Sequence, residues 1–287
     1  MHLPPAWLFP SDGPPNRPPG GRPRPRLWLV AGTGEGPVLA RSLLDRGWRL
    51  RVSVVTAGAA RAYEPHPDLE LAVGPLGMAS GEDPQEVIAR DLALARRCGD
   101  PFHAVVDASH PFAIRISAAL AGACAGRAEP LLRLERPVLP LDRAVVVDEI
   151  QALRGLCRPG ERLLLAIGAR RMAEVIAATP EVVHHGRVLP SPESLRAARA
   201  AGLAAERLAC LRPGPRSQAI EAALCRRWTI DTVLCRQSGG ESEGRWHRIS
   251  AQLGLRLLLL RRPPEPAGVC ALPLDDLLGR VAAPPVA

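Results

Sequence analysis

An acid, a hydroxyl and an imidazole, Asp107, Ser109 and His110, stand within four residues, between the apolar run "AVV" (104–106) and the helix-like "PFAIRISAAL" that follows. Together they offer a charge, an acceptor and a proton donor for work on a ligand. The same residue types also serve as ordinary turn and helix caps. A second group lies upstream, in "VAGTGEG" (30–36). There Gly32, Thr33, Gly34, Glu35 and Gly36 follow an apolar run and open a helical pattern, so backbone N–H groups at a helix N-terminus could take a pyrophosphate. The spacing is GxGxG rather than GxGxxG, and a plain strand-to-helix turn accounts for it as well.

The next apolar run separates the cofactor classes. In folds that bind NAD, an acid ends the second strand and holds the ribose 2′-hydroxyl. Here "VSVVTAGAARAY" (52–63) has Thr56 at that place and no acid, with Arg61 a few residues on. Nothing repels a 2′-phosphate, and an arginine is at hand, so NADPH is expected over NADH. The missing acid also argues against a methyltransferase that uses the turn for S-adenosylmethionine.

Composition narrows the ligand. The 287-residue chain has a formal net charge of +8, and all 37 of its basic residues are arginine. With no lysine there is no P-loop lysine and no Schiff-base lysine. Aromatic residues make up only 3 % and the arginines are dispersed. Nucleic-acid binders concentrate charge and interleave stacking rings, so a polycarboxylate or phosphate small molecule is the expected partner, with no nucleic acid. The seven cysteines include no CxxC pair, which points to neither a disulfide framework nor a zinc site. The histidine pair His184 and His185 alternates along a strand pattern, so no metal is expected there. No apolar run is long enough to span a membrane. A cytoplasmic protein, a monomer or weak homo-oligomer, is expected.

The elements that must position these residues follow from hydrophobic period. Apolar strands are expected at 27–31, 50–55, 69–73, 103–107 and 130–134, with helices at 37–46, 83–99 and 111–125 between them. The alternation resumes with strands near 144–147, 162–167, 182–188, 207–210, 231–235 and 255–260. Helices are expected between these near 149–156, 170–178, 192–201, 215–227 and 243–253. This reads as α/β architecture with two domains, each a mostly parallel sheet flanked by helices. Residues 1–26, rich in proline and glycine, are expected as a disordered extension. The first domain would run over 27–137 and the second over 138–270, with "RPVLPLDR" (136–143) as linker and 271–287 as a C-terminal tail. A ligand cleft between the domains is the default site. With a 3-2-1-4-5 strand order in the first domain, the glycine turn and "DASHPFA" (107–113) line one crevice. Pro111 at the first helical position would make His110 the N-cap.

At these residues the chain resembles the NADPH-dependent precorrin-6A and cobalt-precorrin-6A reductases of cobalamin biosynthesis. The resemblance rests on "GTGEG", "VVDASHPFAIRISAALAGAC", "LLRLERP" (131–137), "SGGESEG" (238–244) and "LLLLRRPP" (257–264), and spans Leu27 to about Pro266. Two departures stand out: Ala31 replaces the first glycine of a Gly-Gly-Thr, and Arg236 replaces a lysine. The resemblance implies two Rossmann-like domains, NADPH on the first, and a tetrapyrrole polycarboxylate whose macrocycle double bond is reduced. Thr56, Arg61, Asp107, Ser109 and His110 would then join the glycine turn at the cofactor, with His110 as candidate proton donor. Arg133, Arg136, Arg170 and Arg171 are the candidate carboxylate holders, because a guanidinium grips a carboxylate bidentately. The turn Ser238-Gly239-Gly240 would hold another through its N–H groups. A reductase of another polycarboxylate, or a non-catalytic NADP-binding sensor, would share these features.

Overall fold

The computed structural model describes residues 24–77, 81–214 and 216–281. Most of the expected N-terminal extension and the last six residues therefore lie outside the described residues. The rest divides into two compact units. The first holds the described residues up to Ser109, then Arg115–Leu134, then those from Pro266 onward. The second holds His110–Ile114 and Glu135–Glu265.

The first unit contains β1 (Arg26–Ala31), α1 (Glu35–Asp45), β2 (Arg49–Val54), α2 (Ala57–Ala60), β3 (Leu69–Val73), α3 (Pro84–Arg97), β4 (Phe102–Ala108), α4 (Ile114–Ala125) and β5 (Leu131–Leu134). Its six strands lie in the order β12-β5-β4-β1-β2-β3, where β12 is Cys270–Leu272. The pairings are all parallel, and both faces are covered. Alternation along β1 shows why: Leu27, Leu29 and Ala31 enter one core with Leu39 and Leu43 of α1, while Trp28 and Val30 enter another with Ile88 and Leu92 of α3. A strand buried on both faces is apolar throughout, which is why "LWLVA" reads as a continuous run. The ends of α3 follow its sequence. Asp83 caps it by accepting from Gln85 N–H, Pro84 opens it, and Arg96 and Arg97 close it.

The second unit contains β6 (Val145–Val147), α5 (Leu153–Leu156), β7 (Arg162–Ala166), α6 (Met172–Ala178), β8 (Val183–Val188), α7 (Pro192–Ala200), β9 (Leu208–Cys210), α8 (Ser217–Arg227), β10 (Thr232–Arg236), α9 (Glu241–Leu253) and β11 (Arg256–Leu260). Its strand order is β6-β11-β10-β7-β8-β9, again parallel. In "RLLLL" the leucines alternate: Leu258 and Leu260 meet Met172 and Val175 on one side, and Leu257 and Leu259 meet Trp246 and Ile249 on the other. Each fully buried leucine is worth about 1.5–3 kcal/mol of burial free energy.

Two expectations are corrected. Residues 271–281 were expected within a tail. Instead β12 pairs with β5, and α10 (Leu274–Arg280) sets Leu277 and Leu278 into the α1 core. Trp48 Nε1 donates to the Val281 carbonyl at 3.0 Å and holds the end of that segment. The spacing Leu274, Leu277, Leu278, Val281 is helical, but one short helix behind a proline gives too brief a pattern to stand out. The helix expected from residue 111 begins at Ile114, so His110 does not cap it.

Candidate functional site

Both sheets reverse winding at one point. In the first unit the chain runs β1, β2, β3 to one side and returns to place β4 on the other side of β1. In the second unit β7, β8, β9 run one way and β10 returns beside β7. The loops after the two strands at such a point diverge and leave a crevice at the carboxyl edge.

In the first unit the two loops are the glycine turn and Asp107-Ser109. The strand register pairs Ala31 with Ala108, so Gly32 and Ser109 start side by side. The three glycines differ in what they provide. A Cβ added at Gly32 or Gly34 would meet nothing within 4 Å, and neither residue needs a left-handed backbone. The space above them is open. Gly34 precedes α1 without a side-chain cap, and Pro37 in the first turn of that helix carries no N–H. Thr33 closes the turn by accepting from Gly36 N–H at 3.2 Å, and Glu35 begins α1. Gly36 is a packing residue: a Cβ would run into the Tyr63 hydroxyl and come within 2.8 Å of Ala31 Cβ. Burial pushes the Tyr63 phenol up to about 12, so it stands neutral behind the turn.

At the end of β2, Thr56 caps α2, its Oγ1 accepting from Ala59 N–H at 3.2 Å, and Arg61 is the exposed residue closing that helix. No acid follows β2 before Glu64.

Asp107 and Ser109 face inward. Asp107 pairs in register with Arg133 on β5, and their side chains form a short ion pair. Arg133 Nη1 also donates to Ser117 Oγ at 2.7 Å. Ser117 Oγ meets Ser109 Oγ at 3.2 Å, and Ser109 N–H donates to Asp107 Oδ1 at 2.9 Å. All four residues are buried, with Asp107 1 % and Arg133 2 % exposed. Three residues expected at ligands thus form one buried polar network that fixes the end of β4 against β5 and α4.

His110 begins a tight turn. Its carbonyl accepts from Ala113 N–H at 2.7 Å, and its Nδ1 accepts from Phe112 N–H at 3.1 Å. An accepting Nδ1 places the proton of the neutral ring on Nε2.

The second unit builds a cavity of about 610 Å³ at its own reversal point, lined by His110, Phe112, Asp148, Leu260, Pro263 and five arginines, 170, 171, 236, 261 and 262, among others. Arg170 and Arg171 follow β7, in a 3₁₀ turn before α6; Arg236 ends β10; Arg261 and Arg262 follow β11. Arg236 lies over the Phe112 ring at 5.3 Å and against Gly168. Burial, with Arg171 and Arg170 nearby, brings its guanidinium down to about 10, which leaves it charged at neutral pH.

The remaining expected residues are close to this wall without opening into the cavity. Arg136 is buried, and its carbonyl accepts from Arg262 Nη1 at 2.8 Å. Gly239 has φ +69, and a Cβ there would strike the Pro137 carbonyl. The Ser238-Gly239-Gly240 turn does hold a carboxylate, but it is the chain's own: Gly239 N–H donates to Glu243 Oε2 at 2.6 Å, with Ser238 buried alongside and Gly240 starting α9. His184 Nε2 meets Thr179 Oγ1 at 2.8 Å and His185 lies against Trp228, two separate environments on opposite faces of β8. Burial pushes His184 down to about 4, which keeps it neutral.

Residue-by-residue reading missed Arg236, Arg261 and Arg262 as cavity residues, and Phe112 as their aromatic neighbour. The signal was present, since Arg236 ends an apolar strand and Arg261 and Arg262 follow a leucine-rich one. Their convergence depends on β10 lying beside β7 and β11 beside β10, which the order of elements in sequence does not state.

Comparison with known proteins agrees with this architecture. The sequence profile described as "Precorrin-6x reductase CbiJ/CobK" matches residues 26–278. A cobalt-precorrin-6A reductase of Synechocystis sp. is 33 % identical over 257 residues, 88 % of this chain and 92 % of that protein. A precorrin-6A reductase of Mycobacterium tuberculosis is 30 % identical over 249 residues, 86 % and 93 % respectively. A solved structure titled "CobK precorrin-6A reductase" superposes with a TM-score of 0.69 at 26 % identity, covering 92 % of this chain and 100 % of that one.

Proposed function

The chain belongs to the precorrin-6x reductase CbiJ/CobK family, and from that premise we propose that it reduces a macrocycle double bond of precorrin-6A or its cobalt form with NADPH. Membership carries the coarser statement, an oxidoreductase of cobalamin biosynthesis of the precorrin-6A reductase type. Cofactor identity and residue roles are our reading.

The observation that carries the cofactor reading is the open space over Gly32 and Gly34 at the reversal point of the first sheet. Neither packing nor backbone conformation requires glycine at these two positions, whereas the close approach of a pyrophosphate does. The absence of an acid between the end of β2 and Arg61 supports the 2′-phosphate. When bound, the nicotinamide supplies the hydride. The chain's own contribution is placement: the open Gly32–Gly34 turn takes the phosphates, and the buried Asp107-Arg133 pair holds the neighbouring loop rigid. The arginine-lined cavity suits the carboxylates of the macrocycle. His110 is the candidate donor to the reduced ring: as imidazolium it would give its Nε2 proton and return to the neutral ring whose Nδ1 accepts from Phe112 N–H. Among the described residues no helix is long and apolar enough to cross a membrane, and we place the enzyme in the cytoplasm.

Purified protein mixed with NADPH and each form of precorrin-6A should lose absorbance at the nicotinamide band. NADPH should bind at least about tenfold more tightly than NADH. Absence of substrate-dependent oxidation with both forms removes the enzyme reading, and tight NADPH binding without turnover supports a sensor. Equal affinity for the two nucleotides removes the role given to Thr56 and Arg61.

His110→Ala should slow turnover by about 10²-fold or more, in the range of general acid catalysis. Its loss of one turn hydrogen bond should lower stability by only about 0.5–1.5 kcal/mol. Thermal melts and turnover measured together decide. Unchanged turnover with a lowered melting temperature assigns the ring to the turn alone.

A further inference from the structure

The five arginines around the second unit's cavity are not equivalent, because three are already engaged. Arg171 is held by Glu174 through contacts of 2.8–2.9 Å, three residues along. Arg261 is paired with Asp148. Arg262 gives Nη1 to the Arg136 carbonyl at 2.8 Å and Nη2 to the Pro137 carbonyl at 2.6 Å. Arg170 and Arg236 have no hydrogen bond or ion pair to any described residue, and the Arg236 Nε is buried without a partner. A buried donor without an acceptor is disfavoured unless a ligand supplies one.

Arg236 is also held in place. Its Cζ lies 5.3 Å from the Phe112 ring centre. Gly168, at φ +83, lets the Arg236 Nη2 approach to where a Cβ would stand only 2.7 Å away. Stacking and close backbone contact restrict the guanidinium plane, which is what bidentate recognition needs and what a lysine cannot use.

We propose that Arg236, oriented by Phe112 and Gly168, and Arg170 are the pair that grips carboxylate groups of the substrate, while Arg171, Arg261 and Arg262 shape the cavity wall. Every residue in this arrangement belongs to the second unit, so the grip forms without the nucleotide. The inference rests on the polycarboxylate substrate reading above and specifies its residues. Gly168 and Phe112 are positioning residues; Arg236 and Arg170 touch the ligand.

The test uses uroporphyrin I, a stable octacarboxylate tetrapyrrole, titrated into the full-length protein without nucleotide at several salt concentrations. Arg236→Gln and Arg170→Gln should each weaken binding about tenfold or more and flatten the dependence of log Kd on log salt, since each removes an ionic contact. Arg171→Gln should stay within about twofold of the parent, because its charge is already matched by Glu174. Gly168→Ala should reproduce much of the Arg236→Gln loss, and Arg236→Lys should recover less than half of it on a logarithmic scale. Thermal melts and circular dichroism matching the parent report that the second unit of each variant is folded, and NADPH affinity, read on the first unit, should remain unchanged in all of them. Binding of uroporphyrin I that survives Arg236→Gln within twofold overturns the assignment, as does equal damage from Arg171→Gln or no binding by the parent protein. The reductase reading fails separately, by absence of NADPH oxidation with precorrin-6A while the arginine ranking holds.

Discussion

Asp107→Ala should be among the most destabilising single changes in the first unit, by about 3–5 kcal/mol, because it removes the carboxylate that the buried Arg133 guanidinium pairs with. The pair is 1 % and 2 % exposed, so water cannot replace the lost carboxylate. Ser117 Oγ at 2.7 Å would remain as a neutral acceptor for Arg133, and the Ser109 N–H would lose its acceptor at 2.9 Å. Removing both charges is a different experiment. Asp107→Ala combined with Arg133→Met exchanges an ion pair for apolar volume, and should be milder than Asp107→Ala alone by about 1–3 kcal/mol. Hydrogen exchange on β4 and β5 amides measures both effects in the unit concerned. A double variant no more stable than Asp107→Ala would show that Arg133 has other means of support and that the pair is not the clamp. NADPH binding should weaken together with stability in the single variant, since the network's Ser109 starts beside Gly32.

Gly36→Ala should weaken NADPH binding by about tenfold or more and lower stability by about 1–3 kcal/mol, the range for overpacking a filled site. The new methyl would meet the Tyr63 hydroxyl and lie 2.8 Å from Ala31 Cβ, in the first turn of α1. That turn cannot move away without shifting the Gly32–Gly34 backbone assigned to the phosphates. Tyr63→Phe removes the nearer obstacle, so the double variant Gly36→Ala, Tyr63→Phe should regain part of both losses, whereas Tyr63→Phe alone should change stability by less than about 1 kcal/mol. Calorimetric titration with NADPH and thermal melts of the three variants check this. If Gly36→Ala binds NADPH as the parent does, the glycine turn that leads into α1 is not the phosphate site. Gly34→Ala is the matched control for space: its Cβ meets nothing in the protein, so any loss of affinity there comes from contact with the nucleotide.

Much of the fold was legible because its signals are short-range and repetitive. Strands such as "RLLLL" are apolar on both faces, α3 has its cap, proline and basic end in sequence order, and glycine marks the turns. The alternation of such elements also implied parallel sheets, and a 3-2-1-4-5 order in the first of them put the glycine turn next to the end of β4. What the sequence obscured was whatever depended on brevity or return. The segment Cys270–Arg280 is a three-residue strand and one short helix that add to the sheet of the first unit from the far end of the chain. His110 precedes a proline that suits a helix start, yet the chain first makes a turn closed by the His110 carbonyl and Nδ1.

Among the functional residues the division is sharper. Composition and position nominated a polyanion ligand, a glycine turn for phosphates and the strand ends where ligands collect, because those expectations rest on residue types and hydrophobic period. Tertiary structure decided which charges are available. Asp107 and Arg133 are 26 residues apart, yet register neighbours on adjacent strands. Arg262 reaches the Pro137 carbonyl across 125 residues, and the N–H of Gly239 is taken by Glu243. Whether a guanidinium is engaged or open depends on what lies within about 3 Å of it, a distance set by strand pairing and packing that spacing along the chain does not encode. For that reason sequence could nominate arginines for the substrate, but only the folded chain could separate Arg133, closed into a buried pair, from Arg236, held over Phe112 with its Nε unmatched.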